Sequence, residues 1–268
     1  MYGYVINLAR SVDRRKHITA ELKKTGLEYE IITAVDGREL DLSDPSIVDP
    51  LLTTRTQFMP GVAGAALSHL SAYEKVLADG LDAVLVLEDD VTLPSDLSSL
   101  ADSVAEQLTG AEIALLSCDS ISTCKMSRQG AVVLEPARQL VLPIDVSQPM
   151  SAGAYIITRE ACERMSKFAP PVRVNSDFWW HFYREGILDR VRCVMPLPVR
   201  KNPNLISTMG SYSLGNSFAA RMAWPVVNRK VPVLHQVLCY RRKRIYGQWS
   251  RAEFVDMPFV EKPSRLDP

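Results

Sequence analysis

An α/β fold with a mostly parallel sheet is predicted by three features of the 268-residue sequence. Apolar, strand-like runs alternate with segments of helical period through the first half of the chain. One run, Ala83-Val84-Leu85-Val86-Leu87, is apolar at every position, as a strand covered on both faces must be. Turn pairs, Asp36-Gly37 and Asp79-Gly80, fall where one type of segment gives way to the next.

Taken in order, Tyr2 to Leu8 reads as a strand, and Ser11 offers an N-cap to a basic helix closing near Gly26. A second strand, Tyr29 to Thr33, leads into Ala34-Val35-Asp36-Gly37 at its carboxyl end. Residues 38 to 60 carry no clear period. From Ala63 onward Ala66, Leu67, Leu70 and Leu77 recur at helical spacing until Asp79-Gly80 stops them. The apolar strand 83–87 then runs straight into Glu88-Asp89-Asp90. A helix from about Asp96 to Leu108, a strand Glu112 to Ser117, a polar loop through Cys124 and a hairpin across Ala131 to Leu142 follow. Strand Ala154 to Thr158 precedes a helix ending near Phe168, and Asn175 to Trp180 opens another that Gly186 terminates.

After Val199 the pattern weakens. The chain divides on this reading into a domain over residues 1–200 and an extension over 201–268. In the extension Arg241, Arg242, Lys243 and Arg244 lie among Val237, Leu238, Ile245 and Trp249, a basic and apolar segment suited to face a membrane or an acceptor.

Composition narrows the function. With 31 basic and 31 acidic residues the chain has no global field to draw in nucleic acid, and none is expected as a partner. Five cysteines, Cys118, Cys124, Cys162, Cys193 and Cys239, are an odd number with no CxxC pair, which argues against a disulfide framework and fits a reducing cytoplasm. The amino terminus lacks the order of a signal peptide, and no window reaches the ~18 apolar residues of a spanning helix. A soluble or peripheral protein is expected.

Parallel sheets bind ligands outside the carboxyl ends of their strands, which is where Glu88-Asp89-Asp90 falls. Three adjacent carboxylates at the end of a buried strand repel one another and need either a cation or full solvation. Mg²⁺ or Mn²⁺ would take one or two of them and keep positions open for phosphate oxygens. A solvated acidic turn is the alternative. Asp36-Gly37 is either a nucleotide cradle, with the glycine allowing close backbone approach, or simply a turn. Ser68-His69 adjoins the apolar face of its helix, where a satisfied core histidine is the plainer reading. His235 is a candidate metal ligand without any spacing partner. Asp177, followed by Phe178-Trp179-Trp180, is either a base beside aromatic surfaces that could stack on a sugar, or a helix N-cap over a core aromatic cluster.

Together these segments resemble glycosyltransferase family 25, the lipooligosaccharide-synthesis glycosyltransferases. The resemblance spans about residues 2 to 200. It rests on Val5-Ile6-Asn7-Leu8 with Ser11, Arg14 and Arg15, on Ala34-Val35-Asp36-Gly37, on Gly61 through Leu67-Ser68-His69, on Leu85 to Val91, and on Ala154 to Arg159 with the later Asp177. It implies a GT-A-like fold, a Rossmann-type nucleotide-binding half merged with an acceptor half, and inversion at the anomeric carbon. It implies further that Asp90 binds the metal, that Glu88 or Asp89 contacts ribose or metal-bound water, and that Asn7, Leu8, Arg14, Asp36, Gly37, Ser68 and His69 form the donor side. A UDP-hexose, galactose or glucose, is the implied donor and a lipooligosaccharide or other glycan the acceptor, with Asp177 taking the acceptor proton. One stretch departs from the family pattern. Where the family reads Gly-Glu-Ile-Gly-Cys, this chain has Gly61-Val62-Ala63-Gly64-Ala65, without the glutamate and the cysteine. Two rivals stand beside this reading: a non-catalytic glycan-binding relative and a metal-dependent phosphohydrolase.

Overall fold

The computed structural model describes residues 1–54, 59–120, 123–134, 137–205, 236–237, 240, 243–244 and 251–259. Strand β1 (Tyr2–Asn7) leads through helix α1 (Val12–Leu22) to β2 (Glu28–Thr33). A 3₁₀ turn at Gly37–Glu39 and a short helix α2 (Pro50–Thr53) precede the long helix α3 (Pro60–Ala78), which returns the chain to β3 (Ala83–Glu88). β4 (Val91–Thr92), α4 (Leu97–Ala105) and β5 (Glu112–Leu115) follow. β6 (Cys124–Leu134) and β7 (Arg138–Pro143) form the expected hairpin. Then come β8 (Ala154–Thr158), α5 (Arg159–Phe168), α6 (Trp179–Arg184), β9 (Arg190–Met195), β10 (Arg200–Lys201) and β11 (Ala252–Val255).

Nine strands form one sheet in the order β11-β6-β7-β9-β5-β8-β3-β1-β2. Following the pairings across it, only β7 and β8 run against the other seven, so the mostly parallel α/β sheet predicted from sequence is the one observed. Alternation along each strand splits the core between the two faces. Val84 and Val86 of β3 pack with Leu70, Tyr73 and Val76 of α3 and with Cys162 and Met165 of α5. Leu85 and Leu87 point the other way, into Ile18 and Leu22 of α1 and Leu97, Leu100 and Val104 of α4. A strand with helices on both sides must be apolar throughout, which is why β3 reads as it does.

β1 lies between β2 and β3 and is parallel to both. The α1 crossover carries the chain from β1 to β2, and the α3 crossover carries it from β2 back past β1 to β3, so strand order reverses about β1 and a crevice opens at its carboxyl end. Register puts Ile6 opposite Glu88 and Asn7 opposite Thr33, so three strands deliver Asn7, Ala34 to Gly37, and Glu88 to Asp90 to a common edge.

The far end of the chain returns to this body. β10 pairs with β4, Lys201 opposite Val91, and β11 adds to the sheet edge beside β6. The boundary read at residue 200 thus falls inside a strand pair. The four described cysteines are buried free thiols. Among the described residues no helix is long and apolar enough to cross a membrane.

Candidate functional site

A cleft of about 330 Å³ opens at the carboxyl ends of β1, β2 and β3. Of the residues singled out from sequence, Leu8, Arg14, Asp36, Gly37, Ser68, His69, Glu88, Asp89 and Asp90 line it. Asn7 lies just beneath, buried, and donates from Nδ2 to Asp89 Oδ2 at 2.6 Å.

The acidic triplet is only partly neutralised by the protein. Arg14, on the first turn of α1, reaches Asp89 Oδ1 and Asp90 Oδ2, each at 2.7 Å. Burial nevertheless pushes Asp89 up to about 6, with Asp90 and Glu88 adding to the rise against Arg14 and Asn7. Asp90 is raised as well, first by burial and then by Glu88, and its Oδ1 is buried with no hydrogen-bond partner among the described residues. Glu88 differs. Burial opposes its ionisation, but His69 and Lys201 outweigh that and bring it down to about 2.

His69 sits on α3 behind the triplet, its Nε2 3.7 Å from Glu88 Oε1 and its Nδ1 2.7 Å from the Tyr155 hydroxyl, which in turn lies 2.9 Å from that of Tyr73. It is thus a satisfied core histidine and a wall of the cleft at once. Ser68 is spent on the backbone, accepting from Val35 N at 2.8 Å and donating to Gly64 O at 2.6 Å. That clamps α3 against the loop after β2. The glycines there are steric requirements: a Cβ on Gly37 would lie 1.9 Å from Pro60 O, and one on Gly64 2.6 Å from Gly37 N. Within the altered stretch, Val62 is buried where the family carries glutamate, and Ala65 lines the cleft where it carries cysteine.

Asp36 caps the 3₁₀ turn by accepting from Arg38 N at 3.2 Å, so it is a turn residue, and it also holds the Arg38 guanidinium at 2.7 Å and that of Arg10 at the cleft rim. Those bonds, Arg38 first, hold its carboxyl at about 2.

Asp177 is not among the residues that line the cleft. Phe178 occupies the cap position of α6, with no side-chain cap bond there, so Asp177 is not the N-cap that the sequence left open as an alternative. Its carboxyl is raised by burial and feels Lys201, Glu88 and His69. The aromatic run behind it divides: Trp179 is buried against Tyr155, with Nε1 donating to Ser151 O, while Trp180 is half-buried under the Arg184 guanidinium.

Lys201 and its partner Asp119 were not read from the sequence. Lys201 Nζ enters the cleft 2.8 Å from Asp119 Oδ2, and both carboxylate and lysine sit in short, irregular segments with no motif around them. His235, Arg241 and Arg242 lie outside the described residues, and Lys243 and Arg244 are exposed.

Among the described residues no three or more His, Cys, Asp or Glu side chains converge on one point as a complete metal cage would. A Mg²⁺ or Mn²⁺ that bridges a diphosphate needs only one or two protein carboxylates, and the partnerless, buried Asp90 Oδ1 is an oxygen of that kind.

The sequence model described as glycosyltransferase family 25 (LPS biosynthesis protein) matches residues 1–180. A human protein named inactive glycosyltransferase 25 family member 3 is 36% identical over 39% of this chain and 19% of its own length. Human procollagen galactosyltransferase 2 is 34% identical over 33% of this chain and 15% of its own. A Haemophilus influenzae relative is 26% identical over 60% of this chain and 55% of its own. The chain spans about a fifth of the length of the first curated relatives it matches.

Proposed function

The chain belongs to glycosyltransferase family 25, and from that premise we propose that it transfers a hexose, galactose or glucose, from a UDP-sugar to a lipooligosaccharide or other glycan acceptor, with inversion. The observation that carries this is the acidic triplet at the carboxyl edge of β3, facing a cleft within the size range of small-molecule sites, where among the described residues Arg14 alone forms ion pairs with Asp89 and Asp90 and burial raises both carboxyls. Crowded carboxylates with raised affinity for protons are poised to take a different cation, and a diphosphate brings one with it.

Asp90, with Asp89 beside it, would hold Mn²⁺ or Mg²⁺, whose chemistry is to neutralise the charge on the departing diphosphate. Asn7 and Arg14 fix the two carboxylates from below. Asp36 and the tightly packed Gly37 form the wall for the nucleoside, where close backbone approach is already enforced by α3. Asp177 takes the proton from the attacking acceptor hydroxyl; its partly buried setting raises its affinity for that proton, and the half-buried Trp180 offers a nearby surface for a sugar ring. Inversion needs one in-line displacement and no covalent intermediate.

Acceptor-dependent release of UDP from a UDP-hexose is the test. A phosphohydrolase would release phosphate or nucleotide without acceptor. A non-catalytic relative, the reading favoured by Val62 in place of the family glutamate and by the name of the human relative, would release none.

The same proposal places the protein in the cytoplasm, touching the anionic inner face of the inner membrane through Arg241, Arg242, Lys243 and Arg244, each worth ~1 kcal/mol near a charged surface and less as salt rises. Flotation with anionic liposomes should drop when all four become Ser. Unchanged flotation would dismiss the membrane contact.

A further inference from the structure

Lys201 comes from beyond residues 1–180, the segment on which family membership rests, yet the fold brings it to the wall of the cleft. β10 pairs Lys201 with Val91, and the next residue, Asn202, donates its backbone N–H to Asp90 O at 2.7 Å. The lysine is thus tied by backbone to the acidic triplet itself. Its ammonium lies 2.8 Å from Asp119 Oδ2, and its side chain is 28% exposed. Burial alone would favour the neutral amine, but Asp119, Glu88 and Asp90 outweigh it and keep Lys201 charged. An ammonium has three N–H donors, and one direction toward Asp119 leaves two for a ligand in the cleft.

The other cations of the cleft are placed for different work. Arg14 holds Asp89 and Asp90 together. Arg10 and Arg38 both clasp Asp36 at the rim, and at 37% and 66% exposed their fields are screened by water.

Building on the reading of the cleft as a nucleoside-diphosphate site, we propose that Lys201 contacts the donor's diphosphate and takes part of the negative charge that collects there during transfer. In that step the bond from the sugar's anomeric carbon to the diphosphate oxygen breaks, its electron pair staying on the diphosphate. The acceptor oxygen bonds to the same carbon, and the acceptor proton passes to Asp177. Lys201 stabilises the leaving group without gaining or losing a proton.

Calorimetric titration of the full chain with UDP and with uridine, in Mn²⁺, tests this on the wild type, Lys201→Met and Lys201→Arg. A charge-assisted bond to phosphate is worth about 10- to 100-fold in affinity. Lys201→Met should lose that factor for UDP while uridine affinity stays within about twofold, and Lys201→Arg should keep most of the preference for UDP. Unchanged UDP affinity in Lys201→Met, or parallel loss of both ligands, would overturn the proposal. Should Lys201→Met fail to fold, Lys201→Arg decides: retained preference for UDP over uridine supports the contact, and its loss refutes it. A wild type that binds neither UDP nor uridine would instead remove the donor reading, and the role of Lys201 with it.

Discussion

At the amino-terminal end of β5, Glu112 is fully buried between Arg190 at 2.7 Å and Arg192 at 3.0 Å; at the carboxyl end of β3, Glu88, Asp89 and Asp90 crowd together with Arg14 and Lys201. β3 and β5 run the same way, both antiparallel to β8, so the two clusters sit at opposite edges of one sheet. Their charge is settled differently. One carboxylate meets two guanidinium groups at the first edge. At the second, the three carboxylates and Asp119 share two protein cations. A buried ion that is over-compensated holds strands together, whereas one that is under-compensated costs stability until another cation arrives. The carboxyl edge is therefore where a ligand's charge and a metal's charge can be accommodated, and the amino edge is structural.

That contrast can be broken by mutation at either edge. Asp90→Ala should cut transfer by about a thousandfold or more and leave the melting temperature unchanged or slightly higher, since it relieves repulsion between carboxylates. Steady-state rates with a melting curve check both halves, and an active Asp90→Ala enzyme would move the cation site elsewhere. Asp177→Asn should reduce turnover by ~10²–10⁴-fold with little change in UDP affinity, because a base acts on the acceptor proton and not on the donor. Since Phe178 occupies the cap position, the helix has no call on Asp177, and near-normal turnover in this variant would leave the reaction without its base. Glu112→Gln should do the opposite, costing about 1–3 kcal/mol by leaving the mostly buried Arg192 guanidinium without its carboxylate, while sparing transfer at temperatures where the protein stays folded. Denaturant titration measures that cost; a Glu112→Gln variant of full stability would remove the distinction between the edges.

Much of the carboxyl edge was legible in the sequence. An all-apolar strand ending in acidic residues specifies both the burial of β3 and the charge gathered at its end, and Asp36-Gly37 marks the turn after β2. Direction was less legible. All five residues of β8, Ala154 to Thr158, are buried, so the strand reads like any inner parallel strand although it runs against its neighbours. Burial pattern encodes which faces are covered, not which way the chain runs. β9 went unread because Arg190 and Arg192 break its apolar run, and those arginines are the partners of Glu112. Lys201 was hidden for a related reason: its position depends on a two-residue pairing between β4 and β10, too short to leave a period. Ser68, which the family resemblance puts on the donor side, lines the cleft, and its hydroxyl bonds to Val35 N and Gly64 O are set by the approach of α3, which spacing along one helix does not reveal.

The most direct measurement is thermal unfolding of the full chain with UDP, once in Mn²⁺ and once in excess chelator, each against the same buffer without UDP. If the carboxyl edge is short of positive charge, UDP should raise Tm by ~3 °C or more in Mn²⁺ and hardly at all in chelator, because diphosphate and carboxylates repel without a cation between them. Equal shifts in the two buffers would contradict the assignment of Glu88-Asp89-Asp90 as the metal and donor site.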